Sequence, residues 1–236
     1  MLFFKYNSVM MRSWMKVLVV FFVVAWRWTD IVSAQTEKDS VVYTIEDSTQ
    51  ANQLVVEMMT LMNKRKLEEA KQKGELAKLI YGKVFGSESK QVANIFHLFG
   101  NIAYAYGNYD EAIGFWEKTL KIRLKTLGNE HSDVAYSYNN IGASYASQGK
   151  YGKAIEYHEK SLEIRLKKLG NEHPDVAQSY SNIGVSYEYQ GAYDTAIEYK
   201  KKALEIRLKT LGNEHPDVAR SYHNLGSSFY AQAKYE

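Results

Sequence analysis

Three stretches of this chain open on the same residues at the same interval. His131–Glu172 reads HSDVAYSYNNIGASYASQGKYGKAIEYHEKSLEIRLKKLGNE, and His173–Glu214 reads HPDVAQSYSNIGVSYEYQGAYDTAIEYKKKALEIRLKTLGNE. His215 starts again as HPDVARSYHNLGSSFYAQAKYE, so the period is 42 residues. A fixed period of about 20–50 residues marks stacked repeats, because each small unit cannot bury its apolar face alone and relies on its neighbours.

Each unit reads as two helices. In the fourth, Ala177, Tyr180, Ile183, Gly184 and Tyr187 share one face of a helix expected from Asp175 to Tyr189. Pro174 suits a first helical position and Asp175 complements the positive end of the helix dipole. Gln190-Gly191 breaks the helix. A second helix is expected from Tyr193 to Leu211, with Ala196, Ile197, Ala203, Leu204, Leu208 and Leu211 on its apolar side. Gly212 then stands where a left-handed C-cap belongs. Gly184 and Ala196 are small residues on the two apolar faces, and they recur as Gly100, Gly142 and Gly226 and as Ala112 and Ala154. Glycine costs about 1 kcal/mol against alanine inside a helix, so its return at this place implies close helix packing.

The pattern Tyr180-x-x-Ile183-Gly184-x-x-Tyr187, followed by Tyr193-x-x-Ala196 and Ala203, resembles the tetratricopeptide repeat. That repeat is about 34 residues long, and the eight extra residues here fit as about two added turns on the second helix. His-Pro-Asp-Val-Ala at the start and Leu-Gly-x-Glu-His at the end are similar to the 42-residue repeats of kinesin light chains and their relatives. The resemblance implies an all-α fold, a right-handed α-solenoid of stacked helix-turn-helix units. It does not imply a motor role, because no heptad coiled coil precedes the repeats.

A worn copy precedes the clear ones. Glu69-Ala70 aligns with Glu111-Ala112, Leu67 with Tyr109, Ile80 with Ile122, and Phe85-Gly86-x-Glu88 with Leu127-Gly128-x-Glu130, while Met58 replaces the first-helix glycine. The organisation expected is a degenerate repeat over 51–90, repeats over 91–132, 133–174 and 175–216, and an incomplete repeat over 217–236. The second unit is rich in aromatics (Phe96, Phe99, Tyr104, Tyr106, Phe115, Trp116), read as core and inter-repeat packing rather than a binding pocket.

Residues 1–34 differ in kind. Lys5, Arg12 and Lys16 precede an apolar run from Val17 to Trp26, and Val32-Ser33-Ala34 offers the small residues a signal peptidase reads. This predicts a secretory leader cleaved after Ala34 and a secreted product. An uncleaved membrane anchor remains open, as does a cytoplasmic protein with a mis-assigned start codon. Ten apolar residues fall short of the about 20 that a membrane span needs. Residues 35–50 read as a polar linker containing the strand-like segment Val41–Ile45. The net charge of +3 resides in the leader through Lys5, Arg12, Lys16, Arg27 and Asp30, leaving the remainder neutral. Bulk charge therefore gives no support for nucleic-acid binding, and membrane association is expected only if the leader stays attached. The chain has no cysteine, hence no disulfide or thiolate metal site, and no Asn-x-Ser/Thr sequon.

No catalytic motif emerges, and neither an enzyme nor a cofactor is expected. Gly142-Ala143-Ser144 begins like a nucleophile elbow, but Ala146 stands where its second glycine is required. His131, His173 and His215 each sit near an acid, yet lie one repeat apart, so they read as local turn residues. The charged runs Asn63-Lys64-Arg65-Lys66 and Lys200-Lys201-Lys202 read as solvated helix faces.

In a stack of helix pairs, the first helix of each unit lines the inner wall. The register places there Tyr136, Asn139, Asn140 and Ala143, then Gln178, Ser181, Asn182 and Val185, then Arg220, His223, Asn224 and Ser227. Asn140, Asn182 and Asn224 form one column; the second unit departs from it with Leu98. The resemblance implies that an asparagine here bonds the backbone of a bound peptide, and an amide does offer both donor and acceptor to an extended chain. The same residues could instead brace neighbouring helices. The function expected is a protein-interaction scaffold that binds a peptide or protein in its concave groove. The alternative is the repeat portion of a larger signalling protein or enzyme. Self-association through the last helix is expected from the incomplete fifth unit.

Overall fold

The computed structural model describes residues 47–235. The leader over 1–34 and the strand-like Val41–Ile45 lie outside the described residues. Residues 47–63 form helix α1, so the helical region begins ahead of Ala51. It is followed by α2 (Leu67–Phe85), α3 (Lys90–Ala105), α4 (Tyr109–Leu127), α5 (Ser132–Ser147), α6 (Tyr151–Leu169), α7 (Pro174–Tyr189), α8 (Tyr193–Leu211) and α9 (Pro216–Tyr235). Within Ala51–Glu236, each helix from α2 to α9 packs on the next and α5 also meets α7, which is the contact order of a solenoid. The units are α1–α2, α3–α4, α5–α6 and α7–α8, with α9 opening a fifth.

The local chemistry explains where the chain turns. His131 and His173 cap α5 and α7: the Nδ1 of each accepts the backbone N–H of Asp133 or Asp175 at 3.1 Å, and His215 does the same for Asp217 at 3.1 Å. The recurring histidine is thus a helix cap, consistent with a turn residue. Each of α4, α6 and α8 has 19 residues against 16 in α3, α5 and α7, so the second helix exceeds the first by less than one turn. The glycine after α8 differs from expectation. Gly212 has φ +79° but ψ 167°, so the chain leaves extended rather than curling into a left-handed cap, and its N–H still reaches the Leu208 carbonyl at 3.1 Å.

The helices of a unit meet at the small residues. Ala112, Ala154 and Ala196 are fully buried. A Cβ placed on Gly100 would lie 2.5 Å from Trp116 Cδ1, one on Gly142 2.8 Å from His158 Nδ1, and one on Gly184 2.9 Å from Lys200 Cγ. Trp116, His158 and Lys200 are themselves one period apart, so a single large side chain from the second helix occupies the notch that each glycine leaves. The first unit reverses the arrangement. Met58 stands at the glycine position and is fully buried, and Gly74 stands where the large residue belongs. A Cβ on Gly74 would come within 2.8 Å of Met58 Sδ and 2.5 Å of Phe99 Cε1. Volume moves from one helix to the other and the close approach survives.

This register corrects the reading of Lys200-Lys201-Lys202 as one solvated face. Lys201 and Lys202 are exposed, but Lys200 is only 4% exposed because it fills the notch at Gly184. Its ammonium pairs with the Glu188 carboxylate and donates to Ser228 Oγ at 2.7 Å and the Asn224 carbonyl at 3.1 Å, tying α8 to α7 and α9. Asn63-Lys64-Arg65-Lys66 is solvated as read, but only Asn63 is helical, ending α1, and Lys64-Arg65-Lys66 form the turn after it. Among the aromatics of the second unit, Phe96 stacks on Phe115 at 6.3 Å, Phe99 and Trp116 are buried, and Tyr104 is exposed but lies against the rings of Tyr109 and Trp116, whereas Tyr106 is exposed and does not serve the core.

Candidate functional site: the inner wall

The wall is built by first helices lying side by side. Between α3 and α5, the rings of His97 and Tyr136 lie 5.2 Å apart and the Tyr104 hydroxyl meets Ser147 Oγ at 2.9 Å. Between α5 and α7, Asn182 Nδ2 donates to Asn139 Oδ1 at 3.0 Å. The wall sites read from the sequence therefore come together across helices, but they are not equivalent. Tyr136 and Gln178 are exposed, and Asn139, Asn140, Asn182 and Asn224 are half-buried. Ser181 is only 8% exposed and presents little surface. Arg220 is exposed and bonds Asp217 Oδ1 at 2.8 Å within α9, and His223 is exposed beside it.

The asparagine column divides in two. Asn182 braces its neighbours: besides its bond to Asn139, its Oδ1 accepts from Gln178 Nε2 at 2.7 Å. Gln178 Oε1 in turn accepts from Arg207 Nη2 at 3.3 Å. The side-chain amides of Asn140 and Asn224 have no such bonds to other described residues.

Beneath the wall runs a second column that sequence reasoning passed over. Arg123, Arg165 and Arg207 are one period apart and are 7%, 7% and 5% exposed. Each reaches from the second helix of its unit to the first helix of the next. Arg123 Nη1 donates to the Asp133 carbonyl at 3.0 Å and Ser137 Oγ at 2.9 Å; Arg165 Nη1 does so to Asp175 at 3.0 Å and Ser179 at 2.7 Å; Arg207 Nη1 reaches Ser221 Oγ at 2.7 Å. Burial lowers the pKa of all three, the nearby Asp133, Asp175 and Asp217 opposing it. A guanidinium remains charged through such a shift, so each junction contains a buried cation satisfied by neutral acceptors. The signal was present in the sequence, as an arginine and a serine recurring in step on otherwise apolar faces.

Two histidines are also drawn into the structure. Burial holds His97 at a pKa of about 4, with Arg123 adding to the effect, and His158 at about 4, with Arg165 nearby. His158 Nδ1 is buried without a hydrogen-bond partner, as are the hydroxyls of Ser144 and Ser161. Among the described residues, no group of three or more His, Asp or Glu side chains could hold a metal ion, and no helix is long and apolar enough to cross a membrane.

Tetratricopeptide repeats match residues 91–167, 133–209 and 175–236, together more than half of the sequence. The chain belongs to the tetratricopeptide repeat family. Its repeats are of the kinesin-light-chain type: a Podosopora anserina protein assigned as a kinesin light chain, with nearly identical TPR-like repeats, is 25% identical with a TM-score of 0.68. That match covers 79% of this chain and 89% of the other. BtubC (BKLC) from P. vanneervenii shares the fold at 22% identity and a TM-score of 0.60, covering 80% and 84% of the two chains. The apo form of RapI does so at 21% identity and 0.68, covering 79% and 65%. No curated protein sequence matches. A tetratricopeptide solenoid is a fold of protein-interaction scaffolds and is typically non-catalytic.

Proposed function

We propose that this tetratricopeptide protein is a non-enzymatic scaffold whose inner wall holds a peptide segment of a partner protein. The observation that carries the reading is the pair of half-buried amides on Asn140 and Asn224, which have no bonds to described neighbours although Asn182 in the same column bonds both Asn139 and Gln178. A half-buried amide offers two donors and an acceptor at modest desolvation cost, which suits the alternating N–H and C=O of an extended chain. The braced Asn139, Gln178 and Asn182 hold the wall in shape, and Tyr136, Ser181, Arg220 and His223 flank it. The sequence of residues 1–34 supports a secretory route with cleavage after Ala34, which the N-terminal mass of the secreted chain tests.

A partner recovered by pull-down with the full chain provides the assay. Asn140→Ala with Asn224→Ala is expected to weaken binding about tenfold or more, each buried peptide hydrogen bond left unmade costing about 1–3 kcal/mol. Lys160→Ala with Lys202→Ala is the control, since these exposed ammonium groups lie on the second helices, pairing with Glu156 and Glu198 and resting over the rings of Tyr157, Tyr180 and Tyr199. Equal affinity of the asparagine variant and the parent would refute the groove assignment.

A further inference from the structure

The junction between the first two units lacks two features found at later ones. The first is an aromatic ring. Tyr145, Tyr187 and Phe229 stand one period apart on α5, α7 and α9, and Ala103 takes that place on α3. In the third unit the ring lies 5.5 Å from that of Tyr157 and faces the preceding unit: burial raises the Tyr145 pKa, and Glu117 and Asp110 of α4 add to the rise. The second is a polar clasp. Gln148 Nε2 donates to Asp110 Oδ1 at 2.8 Å, and Gln232 Nε2 to Asp194 Oδ1 at 2.7 Å, each tying a first helix to the start of the second helix before it. At the junction between these two, Gln190 faces Gly152, which has no carboxylate. At the first junction the same places hold Tyr106 and Glu68. Tyrosine has no amide to offer, and neither side chain bonds another described residue.

A cavity of about 380 Å³ opens where both features are missing. Its floor is Phe99, Ile102 and Ala103, each no more than 3% exposed. Tyr106 and Glu68 stand exposed on its rim beside Lys71 and Glu111. Lys71 Nζ bonds Glu111 Oε1 at 3.1 Å, so these two charges offset each other and the Glu68 carboxylate is the unpaired one.

We infer that this cavity is a site for a small aromatic amine, an arylalkylamine whose ring takes the place that Tyr145 and Tyr187 fill in later units and whose ammonium bonds Glu68. The ring rests on Phe99, Ile102 and Ala103 beside Tyr106, and the ligand supplies the N–H donor that Gln148 gives to Asp110. An ammonium suits Glu68 better than a neutral amide does, because a charge-assisted bond is the stronger one. The volume falls within the range of about 300–1,000 Å³ usual for small-molecule sites. Bounded by α2, α3 and α4, the opening takes one ring with a short tail, which favours a free molecule over a length of chain. The site shares no residue with the inner wall and does not depend on the groove reading.

The test titrates tyramine into the full chain by isothermal titration calorimetry, with 4-ethylphenol as the uncharged counterpart. Tyramine is expected to bind saturably at one site, and 4-ethylphenol about fivefold more weakly, the upper end for an exposed ion pair. Glu68→Gln is expected to bring tyramine down to the affinity of 4-ethylphenol and to leave 4-ethylphenol unchanged. Ala103→Tyr copies Tyr145 into the cavity and is expected to abolish binding of both while keeping or raising the parent Tm. Should that variant fail to fold, Glu68→Gln, at an exposed position, decides the matter alone. No saturable binding of tyramine, equal affinity for the two probes, or parent affinity in a folded Ala103→Tyr variant overturns the site. Binding of a tyrosine-bearing peptide in place of tyramine, lost in Ala103→Tyr, assigns the cavity to a partner protein and overturns it too. Asn140→Ala with Asn224→Ala is expected to leave tyramine binding unchanged; its loss there moves the site to the wall and contradicts the assignment.

Discussion

The first unit and the three that follow solve the same packing problem with opposite residues. In the later units the first helix carries glycine and the second carries Trp116, His158 or Lys200; in the first unit the first helix carries Met58 and the second Gly74. The junctions show a parallel exchange. Arg123–Ser137, Arg165–Ser179 and Arg207–Ser221 bind successive units through a buried guanidinium, whereas the first junction has Tyr81 and Ile95 at those places. Tyr81 donates to Asn52 Oδ1 at 2.7 Å, the counterpart of the 3.5 Å contact from Arg123 Nη2 to Asn94. A unit can therefore lose most of its recognisable residues and keep its place in the stack, provided they are lost in complementary pairs.

The largest effect is expected at the polar junctions. Arg165→Ala removes two charge-assisted bonds and is expected to lower unfolding stability by about 3–4 kcal/mol. Arg165→Tyr with Ser179→Ile, which copies the first junction, is expected to recover more than half of that in urea titrations. If the copied pair is no better than the alanine, the junctions are not interchangeable.

The next effect separates the units by pH. The unfolded chain takes up a proton at His158 near its ordinary pKa of about 6.5, while the folded chain does so only at about 4. The unfolded state binds more protons in that window, so stability falls as pH drops from about 6.5 to 4, by about 3 kcal/mol on full titration, and this contribution levels off below. His97 acts in the same sense. His158→Gln is expected to flatten the His158 share of the slope in melts between pH 7 and 4. An unchanged slope would mean that His158 does not titrate as a buried base.

The smallest effect lies in the turn of the first unit. Arg65 has φ +57°, where the later units place Gly107, Gly149 and Gly191 at φ +78°, +73° and +81°. Arg65→Gly relieves that strain at some cost in unfolded-state entropy, and a gain of about 0.5–1 kcal/mol is expected. A loss in calorimetric melts would show that the arginine contributes something the backbone does not reveal.

Much of this was legible beforehand because periodicity is a statement about packing. The spacing of Ala177, Ile183, Gly184 and Ala196 located both helices of the unit, and the bounds Tyr193–Leu211 of α8 match the reading residue for residue. Lys200 was misread because a lysine between two lysines looks solvated; only its alignment with Trp116 and His158 shows that it fills a notch. Gly74 was passed over because its meaning depends on Met58, a partner on another helix. The division of the asparagine column was not legible at all. Asn140 and Asn182 occupy the same place in the repeat, and what distinguishes them is Gln178, which stands where the third unit has Tyr136. Tyrosine cannot donate an amide to the asparagine one turn on.

The claim that the two helices share one volume is tested most directly by a double-mutant cycle on the third unit. Gly142→Met overpacks against His158, and His158→Gly opens a cavity without breaking a side-chain bond to Nδ1, which has no partner. Each change alone is expected to cost about 2–3 kcal/mol. Together they recreate the Met58–Gly74 arrangement, and the account predicts that the double variant loses at least about 1.5 kcal/mol less than the sum. Strict additivity of the two losses would contradict it.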